Sequence, residues 1–182
     1  MICIPLAVLA FMPVGALQGH DTELSESVLR ENLRTFLSAS GVTPAITEGL
    51  RFNPGRFGER VARVSLQNYL CELASRSGKV TLVAASHAAE EPPGSFYRTQ
   101  TELFQRAERV VTASGASVAG WSREIRAGSF DEVPTVRVLY SQVVDGYNFV
   151  GPGNEVLVEF SKSGGVLLNF RLVDTISCVR EP

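Results

Sequence analysis

The residue types that carry most enzyme chemistry are sparse in this chain and poorly spaced for it. His20 and His87 are its two histidines, and neither has a ligand partner at metal-binding spacing, so both read as surface residues. No serine or cysteine sits in a nucleophile-elbow motif. Gly151-Pro152-Gly153 lacks a following Lys-Ser or Lys-Thr, and a strand pattern follows where a phosphate loop requires a helix. Glu124, Asp131 and Glu132 form no acid/base pair and read as a solvated face. The single tryptophan, Trp121, reads as a packing residue between a helix and a strand. The expectation is a non-catalytic protein with no cofactor and no metal.

Recognition chemistry concentrates instead in Gln142 to Asn154, a stretch with two aromatics and three glycines. On one reading Gln142, Val143, Val144, Asp145, Gly146, Tyr147 and Phe149 form a partner-binding loop anchored by the two aromatics. On the other, Asp145-Gly146 is a tight turn and Tyr147 to Val150 pairs back onto Ser141 to Val144, giving a ribbon whose tip still protrudes.

The elements that position this loop are legible as a duplication. Tyr69 to Ser86 (YLCELASRSGKVTLVAAS) and Glu155 to Leu172 (EVLVEFSKSGGVLLNFRL) both read as strand, turn, strand at an offset of 86, aligning Ser75, Ser77, Gly78, Val80 and Leu82 with Ser161, Ser163, Gly164, Val166 and Leu168. A helical stripe precedes each: Leu24, Val28, Leu33, Phe36 and Leu37, capped by Asp21 or Thr22, then Leu103, Phe104, Ala107, Val110 and Val111, with Thr99 and Glu102 spaced as a capping box. The helices match at an offset of 74, which implies twelve extra residues in the second copy, at the end of its first strand and in the turn after it, Gln142 to Asn154. Strands are expected at Glu59 to Leu66, Tyr69 to Arg76 and Lys79 to Ser86, then at Val133 to Val144, Glu155 to Lys162 and Val166 to Val173. Glu90-Glu91-Pro92-Pro93-Gly94 is the linker, dividing the chain into units 21–89 and 95–176. One sheet face of each unit is left without a helix, and the units are expected to meet there.

Met1 to Ala16 has no Asp, Glu, Lys or Arg, and its apolar run ends in Val14-Gly15-Ala16, the pattern of a signal peptide cut after Ala16. The run is shorter than the ~20 residues of a transmembrane anchor. A secreted, periplasmic or cell-envelope protein is expected. Cys71 and Cys178 would then remain, either as a disulfide or as two separately buried thiols. Seventeen Lys and Arg against nineteen Asp and Glu, a net charge of -2, leave no basic footprint for nucleic acid.

At Tyr140-Ser141-Gln142-Val143-Val144-Asp145-Gly146, Val150-Gly151-Pro152-Gly153, Val156 to Glu159 and the Ser-Gly hairpin, the chain resembles the secreted PepSY and thermolysin-propeptide-like modules. Gln142 to Gly146 is also similar to the Q-x-V-x-G hairpin that cystatins wedge into papain-like peptidases. These resemblances imply an α+β fold of two tandem cystatin-like units, each a helix packed on a three- or four-stranded antiparallel meander. They also imply a protein partner, such as a peptidase, engaged through the Gln142 to Phe149 hairpin. The alternatives are a structural or interaction protein of the cell envelope without inhibitory activity, or a small-ligand carrier.

Overall fold

Apolar spacing generates two helices of equal length. In the computed structural model, which describes residues 22–42, 46, 49–54, 60–87, 99–144, 146–148, 155–163 and 165–173, α1 spans Glu26–Ala39 and α2 spans Gln100–Ala113. Leu29, Leu33, Phe36 and Leu37 form the buried stripe of α1, and Leu103, Ala107, Val110 and Val111, each 74 positions later, that of α2. The Thr99 hydroxyl caps α2 by accepting the Glu102 amide at 3.2 Å. The start of α1 corrects the expectation. Ser25 holds the N-cap position in place of Thr22, and Asp21 lies outside the described residues. Leu24 therefore precedes the helix, Val28 turns outward at 42% exposure, and Leu29 takes its place in the stripe. Both helices end in Ser-Gly, with the Ser40 and Ser114 hydroxyls donating to Phe36 O and Val111 O at 2.8 and 2.6 Å.

The strands are β1 (Arg51–Pro54), β2 (Arg60–Leu66), β3 (Tyr69–Ala74), β4 (Val80–Ala85), β5 (Ser122–Phe130), β6 (Val133–Ser141), β7 (Val143–Val144), β8 (Tyr147–Asn148), β9 (Glu155–Ser161) and β10 (Leu167–Leu172). Eight of them make one antiparallel sheet in the order β1-β2-β3-β4-β10-β9-β6-β5, and among the described residues β7 and β8 pair only with each other. The fold is α+β. Both helices pack into one buried cluster with the sheet positions Ala62, Val64, Cys71, Leu73, Val83, Val138, Val158, Phe160 and Phe170. β1 and β5 were not foreseen as strands. Each lies at a sheet edge and stays half exposed, so neither shows the apolar alternation that marks the inner strands.

The halves join edge to edge, contrary to the expectation that they meet through their uncovered faces. β4 and β10 pair antiparallel, placing Leu82, Val83 and Ala84 beside Arg171, Phe170 and Asn169. Phe36 of α1 packs on Phe170, with ring centroids 4.9 Å apart. The Val80 amide donates to Ser114 O at 3.0 Å, and the Tyr69 hydroxyl to Leu167 O at 3.1 Å.

Strand phase also corrects the hairpin offset. Tyr69, Cys71 and Leu73 are buried, as are Val156, Val158 and Phe160, 87 positions later. An offset of 86 would equate buried Tyr69 with exposed Glu155 and turn the strand inside out. The Ala74 to Lys79 and Ser161 to Val166 backbone hydrogen bonds fall at 87 as well. The sequence match at 86 came from the turn residues, whereas burial dictates the phase of the flanking strands. The second half is therefore longer than the first by thirteen residues, not twelve, between Tyr140 and Val156, because the corresponding Leu66 and Tyr69 enclose only Gln67-Asn68.

Because the first-half helix touches the second-half sheet, Phe36→Ala should lower stability by about 3–5 kcal/mol and unfold both halves together. Denaturant curves followed by Trp121 fluorescence and by far-ultraviolet circular dichroism should coincide. Two separated transitions would refute a shared core.

Candidate functional site

The sheet face turned away from the helices carries charge in two cross-strand rows. Pairing aligns Arg51, Arg63 and Glu72 across β1, β2 and β3, and Arg126, Arg137 and Glu159 across β5, β6 and β9. In the first row the Arg63 Nε donates to Glu72 Oε1 at 2.8 Å. In the second, Glu159 is 1% exposed and its Oε1 accepts from Arg137 Nε at 2.8 Å and from Thr135 Oγ1 at 2.6 Å. Arg137 Nη2 reaches Ser129 O at 3.3 Å. A buried carboxylate held by two donors, one of them cationic, is a satisfied structural anion. Its neighbours make it a clamp on β5, β6 and β9.

Gly128 makes this clamp possible. A Cβ there would lie 2.6 Å from Arg137 Nε and 2.7 Å from Thr135 Oγ1, so the glycine serves by its missing side chain. Arg137, Thr135, Glu159 and Gly128 were not singled out from the sequence. A glycine inside the β5 stretch was the available signal.

The expected recognition segment begins where β6 ends. The Ser122 hydroxyl donates to Ser141 O at 3.2 Å at its base, and Gln142 and Val143 are half-buried. Val143 pairs with Asn148 and Val144 with Tyr147, while exposed Gly146 takes φ +82 in the turn. The segment is therefore a ribbon of its own, and the strand expected over Val133 to Val144 is interrupted at Gln142. Asp145, Phe149 and 150–154 lie outside the described residues, as do His20, the Glu90 to Gly94 linker, the leader through Ala16, and Cys178.

The remaining candidates do not converge on the ribbon. His87 is exposed just beyond β4, Trp121 is half-buried against the core, and Asp131 and Glu132 form the β5–β6 turn with φ of +47 and +66. Glu124 pairs with Arg126. Among the described residues no group of three or more His, Cys, Asp or Glu could hold a metal, and no helix is long and apolar enough to cross a membrane. Cys71 is a free thiol with 0% exposure, and burial pushes it up to about 12. Burial, followed by the neighbouring Cys71, also raises the Tyr69 hydroxyl. Burial and then Glu108 raise that of Tyr140, which donates to Phe104 O at 3.4 Å. Comparison with family models, with curated proteins and with solved structures gives no match.

Gly128→Ala should cost roughly 1–3 kcal/mol by displacing the Arg137 guanidinium, read as a lowered denaturation midpoint. An unchanged midpoint would mean that Arg137 gives way freely. A second expectation concerns alkali. The unfolded Cys71 thiol ionises from about pH 9 while the folded one stays neutral until about 12, so stability is full below this window and falls as pH rises through it. The slope from this group is about 1.4 kcal/mol per pH unit. Urea titrations at rising pH should show it, and Cys71→Ala should remove this share of the slope, leaving that of the Tyr69 and Tyr140 hydroxyls, which burial also raises.

Proposed function

We propose that the chain is an exported, non-catalytic protein-binding module built from two tandem cystatin-like units, acting on a peptidase through the Gln142 to Phe149 ribbon. The observation that carries this reading is the separation of the ribbon from the main sheet. Among the described residues β7 and β8 pair only with each other, at the corner where the second half is longer than the first. Insertions held by a rigid sheet are where recognition residues accumulate, because the scaffold fixes their position before the partner arrives.

The ribbon turns at Gly146, and Val144 and Tyr147 form the pair next to that turn. An apolar or aromatic anchor at such a tip contributes binding through area removed from water. The buried clamp of Thr135, Arg137 and Glu159 ties β6, the strand from which the ribbon starts, to β9 five residues before Gln142.

The test measures binding and inhibition against papain-like and metallopeptidases, with the wild-type chain beside Val144→Arg and Tyr147→Ala. Each substitution should weaken binding at least about tenfold, equivalent to 1.4 kcal/mol or more, while the melting temperature stays near that of the wild type. Binding indifferent to both variants would overturn the assignment of the ribbon, and a wild-type chain inert toward both peptidase classes would overturn the peptidase partner.

A further inference from the structure

The two edges of the eight-stranded sheet are unlike. β1 is four residues long and ends at Pro54, which has no amide to offer another strand. β5 is nine residues long, contains no proline, and keeps an unbroken register with β6 from Ser122 opposite Ser141 to Phe130 opposite Val133. Among the described residues no strand lies beyond it. A regular edge of this length offers a row of backbone donors and acceptors to another strand, and it lacks the bulge or proline that commonly discourages such pairing.

The β5 side chains alternate in a way that selects a partner. Arg123, Ile125 and Ala127 lie on the helix side: Arg123 pairs with Glu108 of α2 and covers the Phe104 ring, and Ile125 packs against the core. Glu124, Arg126 and Gly128 lie on the opposite side, with Gly128 against Arg137. Glu124 and Arg126 remain accessible, their side chains 49% and 63% exposed.

We propose that β5 pairs antiparallel with β5 of a second copy of this chain, about a two-fold axis at Ile125. An isologous edge pair relates the copies by an axis perpendicular to the sheet, so residues of the same face oppose each other. Centring the pair on Glu124 sets glutamate against glutamate, and centring it on Arg126 sets arginine against arginine. The register centred on Ile125 instead places Glu124 opposite Arg126 twice, once on each side of the axis. On the helix side it places Ile125 against Ile125, and Arg123 against the small, exposed Ala127. Within the chain, β4 and β10 already make a junction of this antiparallel kind. The ribbon takes no part in the pairing.

Sedimentation of the full chain across a concentration series tests the proposal, with circular dichroism confirming that each variant folds. The wild type should associate to a dimer. Glu124→Arg and Arg126→Glu each put like charges at both contacts and should weaken association about tenfold or more. The double variant E124R/R126E restores opposite charges and should recover the dimer. A wild type that stays monomeric, as when residues 174–182 of its own chain cover this edge, overturns the proposal. So does a dimer indifferent to the single substitutions, or a double variant that fails to recover.

Discussion

The antiparallel pairing of β4 with β10 is the constraint on which the rest of the molecule depends. Without it, Val83 and Phe170, both with 0% exposure, would stand at the open edges of two separate four-stranded sheets. With it, the sheet becomes continuous and the two helices cover one shared apolar surface. Phe36 then packs across the junction onto Phe170, and the end of α2 accepts the Val80 amide through Ser114 O. A small half-domain buries too little apolar area to offset its chain entropy with ease. Merging the halves raises the fraction of each that is withdrawn from water.

That junction requires the last strand of each half to keep its apolar side toward the helices, and each does so with an extra residue. Opposite β3, Thr81 is inserted between Val80 and Leu82. Opposite β9, Leu168 is inserted between Leu167 and Asn169. The bulge lets Val80 and Val83 face the core although they are three apart, and likewise Leu167 and Phe170. The Thr81 hydroxyl donates to Glu72 O at 3.2 Å, engaging a carbonyl beside the disrupted ladder. On the other face the same registers produce the two Arg-Arg-Glu rows. Glu159, at 2% side-chain exposure against 19% for Glu72, is the more deeply enclosed of the two acidic members. Its row ends on long β5, where Gly128 admits the Arg137 guanidinium, whereas the first row ends on short β1.

Long-period apolar patterns made the helices readable, since seven of the eight residues in the two buried stripes belong to the stripes expected from spacing alone; Leu29 is the exception. The hairpins were readable too, through their Ser-Gly turns and alternating flanks. Edge strands were not, because a strand with one neighbour and half its residues in water needs little apolar alternation, as in Arg51–Pro54 and Ser122–Phe130. The stretch from Gln142 was legible as a choice between a loop and a ribbon. Its Asp-Gly signal is local, and the pairing of Val144 with Tyr147 follows the second of the two.

By itself the sequence determined the local elements: where apolar residues repeat at helical spacing, where a glycine ends a helix or turns a hairpin, and which corner received the added residues. These depend on neighbours a few positions apart, and their physics is contained in the segment. Tertiary structure alone decided that the halves join by strand edges, that the repeat runs at 87 in the hairpins, and that Arg137, Thr135 and Glu159 meet over Gly128. Strand register and the burial of a charged group are set by residues distant in the chain, through side-chain phase and desolvation, and no short segment encodes either one.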